Sequence, residues 1–331
     1  MSNAKQILSL LRSHAEGDEE QFLSIALQVA AAEARQGHRS TAEEIRTAVE
    51  TVRGQRGDRP TVPIAFAKPR GDLSSILDMR DPQIRVDDVI LSEALRSRLD
   101  AIIRQQQKRT WLREHNRTPS RKLLLAGPPG SGKTMTSEAL AGTLRLPLYV
   151  VRLESLITRF MGETVAKLRL VFDETLQRRG VYLFDEFDAV GGHRAATNDV
   201  AEMRRVLNSF LQFMEEPSTT DSLIVAATNH PELLDRALQR RFDGVLEFGM
   251  PSDEQVRDIV RRHIRPLKYP RIAWKSVSKS ARGLSQSEIA RAAEEAVKEA
   301  ILSEKDTLKT ENLITQIEAR QGMRTVFAKE G

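Results

Sequence analysis

A short apolar run leading straight into a glycine-rich turn constrains this chain more than anything else in it: Lys122 to Thr134, KLLLAGPPGSGKT. Leu123, Leu124 and Leu125 read as a buried strand, and Gly127 to Thr134 fits G-x-x-x-x-G-K-S/T without mismatch. A helix-compatible segment, Met135 to Leu144, follows. Gly127, Gly130 and Gly132 let the backbone turn tightly and aim its N–H groups inward, so that the loop and the helix start make a concave anion site. Lys133 supplies a point charge for β- and γ-phosphates, and the Thr134 hydroxyl is placed to ligate Mg²⁺. Candidate ligands for a nucleotide are therefore Pro128, Pro129, Gly130, Ser131, Gly132, Lys133, Thr134 and Met135. Strand, phosphate loop and helix in this order imply an α/β fold.

Two further strands end in residues that suit the same chemistry. Val181 to Phe184 (VYLF) runs directly into Asp185 and Glu186. Such a strand pins two carboxylates at the carboxyl edge of a sheet, where open α/β folds bind ligands. Asp185 can hold the Mg²⁺ shell, while Glu186 can orient and deprotonate an attacking water. Ser222 to Thr228 (SLIVAAT) ends in Asn229, whose amide can position water against a γ-phosphate or simply form the turn before Pro231. Pro147 to Val151 (PLYVV) reads as another strand.

At 331 residues the chain has room for two or three compact units. Residues 1–56 read as three short amphipathic helices that pack together, on the rest of the chain or on a partner. Their marks are Ile7, Leu8 and Leu11, then Phe22, Ile25, Ala26 and Val29, then a Ser40/Glu43 capping box before Ile45, Val49 and Val52. Prolines and glycines break every pattern across 57–83, which reads as a linker, and helical periodicity runs from Ser92 to Leu112. The nucleotide-binding unit spans 84–250 and a helical segment 251–331. No apolar run is long enough to span a bilayer, and with no cysteine the chain suits the cytoplasm. A net charge of +5 permits an acidic partner, but Lys and Arg are interspersed with Asp and Glu, as on an ordinary solvated surface.

From Val86 onward the chain resembles the AAA-type ATPases of the AAA+ superfamily, through VDDVILSEALRSRLD, GPPGSGKT, the strand with Asp185 and Glu186, AATN and LDRALQRRFD. The resemblance implies a five-stranded parallel sheet flanked by helices, a helical lid, ATP and Mg²⁺ as ligands, and a homo-oligomer, usually a hexameric ring. By position it implies that Asn229 is the first sensor, that Val89 and Ile90 pack the adenine, and that Arg240 and Arg241 reach a neighbouring subunit's γ-phosphate. Two residues that commonly separate those arginines are absent, and Arg241 is the favoured finger. In the lid, Gln286 and Ser287 replace a common Gly-Ala pair, and no lid arginine is assigned to the nucleotide.

Phe160, Met161 and Gly162 fall where AAA unfoldases carry an aromatic, an apolar residue and glycine on a pore loop, and residues 191–199 fall at a second pore loop with His193 and Arg194. The expected function is ATP-driven remodelling of a polypeptide substrate. The chain has no H-E-x-x-H, so a partner would supply any proteolysis. As a whole it looks like small bacterial AAA ATPases encoded beside a subtilisin-like protease in plasmid-incompatibility or phage-defence modules. The competing readings are an ATP-dependent switch assembling on DNA and a structural scaffold with little turnover. Against the first stands the lack of a zinc finger or helix-turn-helix signature; against the second stands Glu186.

Overall fold

The computed structural model describes residues 73–327 apart from 157–160, 189–196, 219, 235, 266 and 270, together with residues 29, 30, 41, 43–45 and 47. The chain divides into two compact units, Met1–Phe66 and Ala67–Gly331. In the first, residues 29, 30, 41, 43–45 and 47 are helical, and the Thr47 hydroxyl donates to the Glu43 carbonyl at 2.8 Å. The other expectations for residues 1–56 lie outside the described residues.

The second unit opens with α1 (Leu73–Ile76) and β1 (Leu77–Arg80), then α2 (Glu93–Gln107), α3 (Arg109–Glu114), β2 (Lys122–Ala126), α4 (Lys133–Leu144) and β3 (Leu148–Val151). After these come α5 (Leu153–Leu156), α6 (Met161–Gln177), β4 (Val181–Phe184), α7 (Thr197–Met214), β5 (Leu223–Thr228), α8 (Arg236–Gln239) and β6 (Gly244–Glu247). Four helices close the chain: α9 (Asp253–His263), α10 (Trp274–Ser280), α11 (Gln286–Leu302) and α12 (Thr310–Phe327).

The strands form one sheet in the order β1-β3-β4-β5-β2-β6. From β3 to β6 every neighbouring pair is parallel, giving the five parallel strands expected, and β1 adds an antiparallel edge by placing Leu77 opposite Val151. Part of the stretch expected as linker is thus structured. Ile76 and Leu77 are buried, and the breakers Gly71 and Pro82 bracket this segment instead of interrupting it. The helix expected from Ser92 to Leu112 is broken at Lys108, and Trp111 on α3 is exposed.

Side chains alternate across the sheet with the strand period of two. Tyr182, Phe184, Ile224 and Ala226 face one layer, where Phe172 of α6 and Phe210 of α7 meet Phe184 at ring-centroid distances of 5.9 and 5.0 Å. Val181, Leu183, Val225 and Ala227 face the other, packed on Leu99 and Ile103 of α2 and Leu140 of α4. Both faces being covered explains why these strands are continuous apolar runs. Because β4, β5 and β2 are adjacent and parallel, their carboxyl ends, which carry Asp185 with Glu186, Asn229 and the glycine loop, come out side by side.

A separate core holds α9 to α12 together, built on Val256, Ile259, Val260, Ile289, Ala293 and Ile317. Capping boxes start two of these helices: Ser252 with Gln255 on α9, and Ser285 with Glu288 on α11. Among the described residues no helix is long and apolar enough to cross a membrane.

Candidate active site

The loop after β2 is held in conformations that glycine adopts freely: φ is +155° at Gly127, +73° at Gly130 and +97° at Gly132. Gly132 is the N-cap of α4 and offers no side chain to the first turn, so the helix presents its start without a competing side-chain acceptor. Lys133 lies under the loop, 7% exposed, and donates to the carbonyls of Gly127 (2.7 Å) and Pro128 (2.9 Å) and to Oδ1 of Asn229 (2.8 Å). Burial pushes its pKa below the usual lysine value, and Asp185 and Asp188 oppose that shift.

The Thr134 hydroxyl donates to Oδ2 of Asp185 at 2.7 Å, so the two residues expected to share a cation stand together. Among the described residues no group of three or more His, Asp or Glu forms a metal site of its own. Glu186 is exposed at φ +50°, a backbone region that side-chain-bearing residues rarely adopt, and its N–H donates to Oδ1 of Asp185. Buried Phe187 anchors this turn by donating its N–H to the Ala227 carbonyl at 2.8 Å.

One further carboxylate was not read from the sequence. Oδ1 of Asp188 accepts from the Thr228 hydroxyl at 3.0 Å and from the Asn229 N–H at 3.1 Å, fixing the end of β5. Its only trace in the sequence is the third acid of DEFD.

The helices α9 and α11 close over these groups to form a cleft of about 650 Å³, within the range of small-molecule sites. Pro129, Gly130, Gly132, Lys133, Thr134, Met135, Asp185, Glu186, Asn229 and Ile90 line it on one side. Val89 does not: it packs in the core with α2 and α4, so of the two residues expected at the adenine only Ile90 borders the cleft. Pro128 takes part through its carbonyl, and Ser131 is buried with its hydroxyl unpaired.

On the lid side the cleft is bordered by Ile259, Arg262, His263, Gln286, Ser287, Ala290, Arg291 and Glu294. Two lid arginines, Arg262 and Arg291, thus border the cleft, although neither is assigned to the nucleotide from the sequence. Residues 259, 262 and 263 share one face of α9, and 287, 290, 291 and 294 one face of α11, spacings that have meaning only once both helices are placed on the cleft. Ser287 N–H donates to the Gly130 carbonyl at 3.0 Å, Gln286 Nε2 to the Ile90 carbonyl at 3.3 Å, and the Arg262 guanidinium to the Asp88 carbonyl.

Arg240 and Arg241 are not in this cleft. They precede β6 and so lie at the amino edge of the sheet, where Arg241 pairs with Glu215 and Arg240 is exposed. The five residues of β2 span about 13 Å at roughly 3.3 Å each, which separates that edge from the glycine loop. Met161 and Gly162 open α6; Phe160, His193 and Arg194 lie outside the described residues.

The donor set suits a nucleoside triphosphate with Mg²⁺: an uncapped helix start, a buried ammonium, and a hydroxyl beside a carboxylate. Residues 123–250 match the family described as "ATPase family associated with various cellular activities (AAA)". An AAA family ATPase of Sinorhizobium fredii, y4kL, itself uncharacterised, is 31% identical over 328 residues, covering 97% of both chains. The ATP-dependent zinc metalloprotease FtsH of Acidothermus cellulolyticus is 30% identical over 231 residues, 67% of this chain but only 35% of that one. In fold the chain is similar to the crystal structure of the FIGL-1 AAA domain, with a TM-score of 0.62 at 20% identity, covering 82% of this chain and 98% of that one.

Proposed function

The chain belongs to the AAA family of ATPases and hydrolyses ATP, and from that premise we propose that it works as a ring of identical subunits, each completing its neighbour's site, to remodel polypeptides. The observation that carries the ring is the position of Arg240 and Arg241, at the edge of the sheet opposite the subunit's own cleft. From there they serve an adjacent subunit's γ-phosphate, and hydrolysis depends on assembly.

Within one subunit the roles follow the geometry. Lys133 and the start of α4 bind the phosphates, and Ile90 with the lid wall encloses the base. Thr134 and Asp185 would hold Mg²⁺, which when bound offsets charge on the β- and γ-phosphates. Glu186 holds and deprotonates the attacking water, and Asn229 orients that water against the γ-phosphate. Ser287 and Gln286 bring the lid onto the loop.

Remodelling is supported by the likeness to an ATP-dependent protease and by the aromatic-apolar-glycine sequence at 160–162. We assign the grip on substrate to Phe160, with Gly162 letting the loop flex. A separate protease in a bacterial defence module is the partner that fits a chain without H-E-x-x-H, and a cysteine-free chain suits the cytoplasm. The test holds Glu186→Gln protein with ATP against host lysate and identifies what is retained. Discrete polypeptides lost when Phe160→Ala is added are expected; nucleic acid retained regardless of Phe160 would replace this reading with the DNA switch.

A further inference from the structure

Three carboxylates stand within four residues at the end of β4, and two of them have evident tasks. Asp185 meets the Thr134 hydroxyl, and Glu186 is exposed on the cleft. Asp188 touches neither. An additional negative charge near a polyanion site works against binding, so its usefulness must lie in what it holds.

What it holds is the last turn of β5. The Thr228 hydroxyl donates to Oδ1 of Asp188 while accepting from the His230 N–H at 3.0 Å, and the same carboxylate oxygen accepts the Asn229 N–H. Asn229 in turn places its side-chain oxygen 2.8 Å from Nζ of Lys133, whose other two acceptors are carbonyls of the phosphate loop. A continuous set of hydrogen bonds thus joins the acid after β4 to the turn after β5 and to the lysine after β2. Asp188 also sits close enough to Lys133 to favour its charged form.

We propose that Asp188 is a positioning residue for hydrolysis, clamping the Thr228–Asn229 turn so that the Asn229 amide is aimed at the γ-phosphate and its water. It acts through Asn229 and does not bind the nucleotide, and the proposal rests on the role given to Asn229 above. A turn left unclamped would misplace the amide by a fraction of an ångström to an ångström, a displacement that lowers kcat without lowering ATP affinity.

The experiment is a double-mutant cycle on ATP turnover, with ATP KM and thermal unfolding recorded for each variant. Asp188→Ala is expected to lower kcat about 10- to 100-fold with KM within about threefold. Asp188→Asn, which keeps a carbonyl acceptor, should restore most of the rate. In an Asn229→Ala background Asp188→Ala should add no further loss, since both changes remove one function. Multiplicative losses, or a loss expressed in KM alone, would overturn the proposal while leaving Asn229 in its role. An Asn229→Ala protein with normal kcat would instead remove the role of Asn229 itself. Should Asp188→Ala unfold, Thr228→Val removes one of the two bonds to the same carboxylate; unchanged kcat in that variant would refute the clamp.

Discussion

Replacing Gly130 by alanine should weaken ATP binding through two effects that the structure separates. The residue sits at φ +73°, where an L side chain costs about 1–2 kcal/mol. A Cβ there would also stand 2.2 Å from the Ser287 hydroxyl and 2.7 Å from that of Ser285. Ser285 has little freedom to yield, because its hydroxyl caps α11 and lies 2.7 Å from Oε2 of Glu288. The start of α11 must then back away, losing the Ser287 N–H bond to the Gly130 carbonyl, worth about 1 kcal/mol. An empty loop can relax, so the penalty falls on the nucleotide-bound form. About 2–3 kcal/mol in all corresponds to roughly a 30- to 150-fold higher Kd. Titration calorimetry of ATP into the Glu186→Gln protein, with and without Gly130→Ala, reads the difference. Adding Ser285→Ala and Ser287→Ala together removes both clashing hydroxyls and should recover about fivefold, leaving the backbone part. A Gly130→Ala protein binding within threefold of its parent, or no recovery when both serines are replaced, would refute the lid contact.

The depressed pKa of Lys133 gives a pH signature. A bound polyanion restores its charged form, so ATP affinity should fall as pH rises through a value below the usual 10.5, with protons taken up on binding; calorimetry in buffers of different ionisation heat measures this. In the free protein the charged lysine is the penalised form, so this group's contribution to stability should rise with pH between its depressed value and 10.5. Away from the site, Arg113 makes hydrogen bonds of 2.7 and 2.9 Å to Asp221, which is 4% exposed. Arg113→Ala should destabilise by about 1–2 kcal/mol, less than for a wholly buried pair because the arginine is half exposed, and denaturant titration should show partial recovery with Asp221→Asn.

The parallel sheet and the residues at its carboxyl edge were legible because each strand is an apolar run ending in a chemically distinctive side chain. Leu123 to Ala126 before the glycines and Val181 to Phe184 before Asp185 need no tertiary information. What the chain did not disclose comes from elements distant in sequence. Position 130 is unrestricted in G-x-x-x-x-G-K-S/T, yet Ser285 and Ser287 make glycine necessary there. Val89 and Ile90 look equivalent until α2 and α4 bury the first and leave the second on the cleft. Arg262 and Arg291 reach the cleft because α9 and α11 turn one face of the lid toward it, a fact of packing and not of local pattern. Asp188 lacks a local signal because its partners lie 40 and 41 residues away. β1 was missed because its four residues are bounded by proline and glycine and gain their place only by pairing with β3.

The central claim is that each site is made by two subunits, and mixing two crippled variants tests it most directly. Glu186→Gln lacks the water-activating acid but keeps Arg240 and Arg241; the double variant Arg240→Ala/Arg241→Ala has the reverse defect. Each alone should turn over ATP poorly. In an equal mixture, about a quarter of interfaces join an intact Glu186 to an intact arginine pair, so phosphate release should recover toward about a quarter of the parent rate. A mixture no faster than the sum of the two separate variants would contradict the shared site.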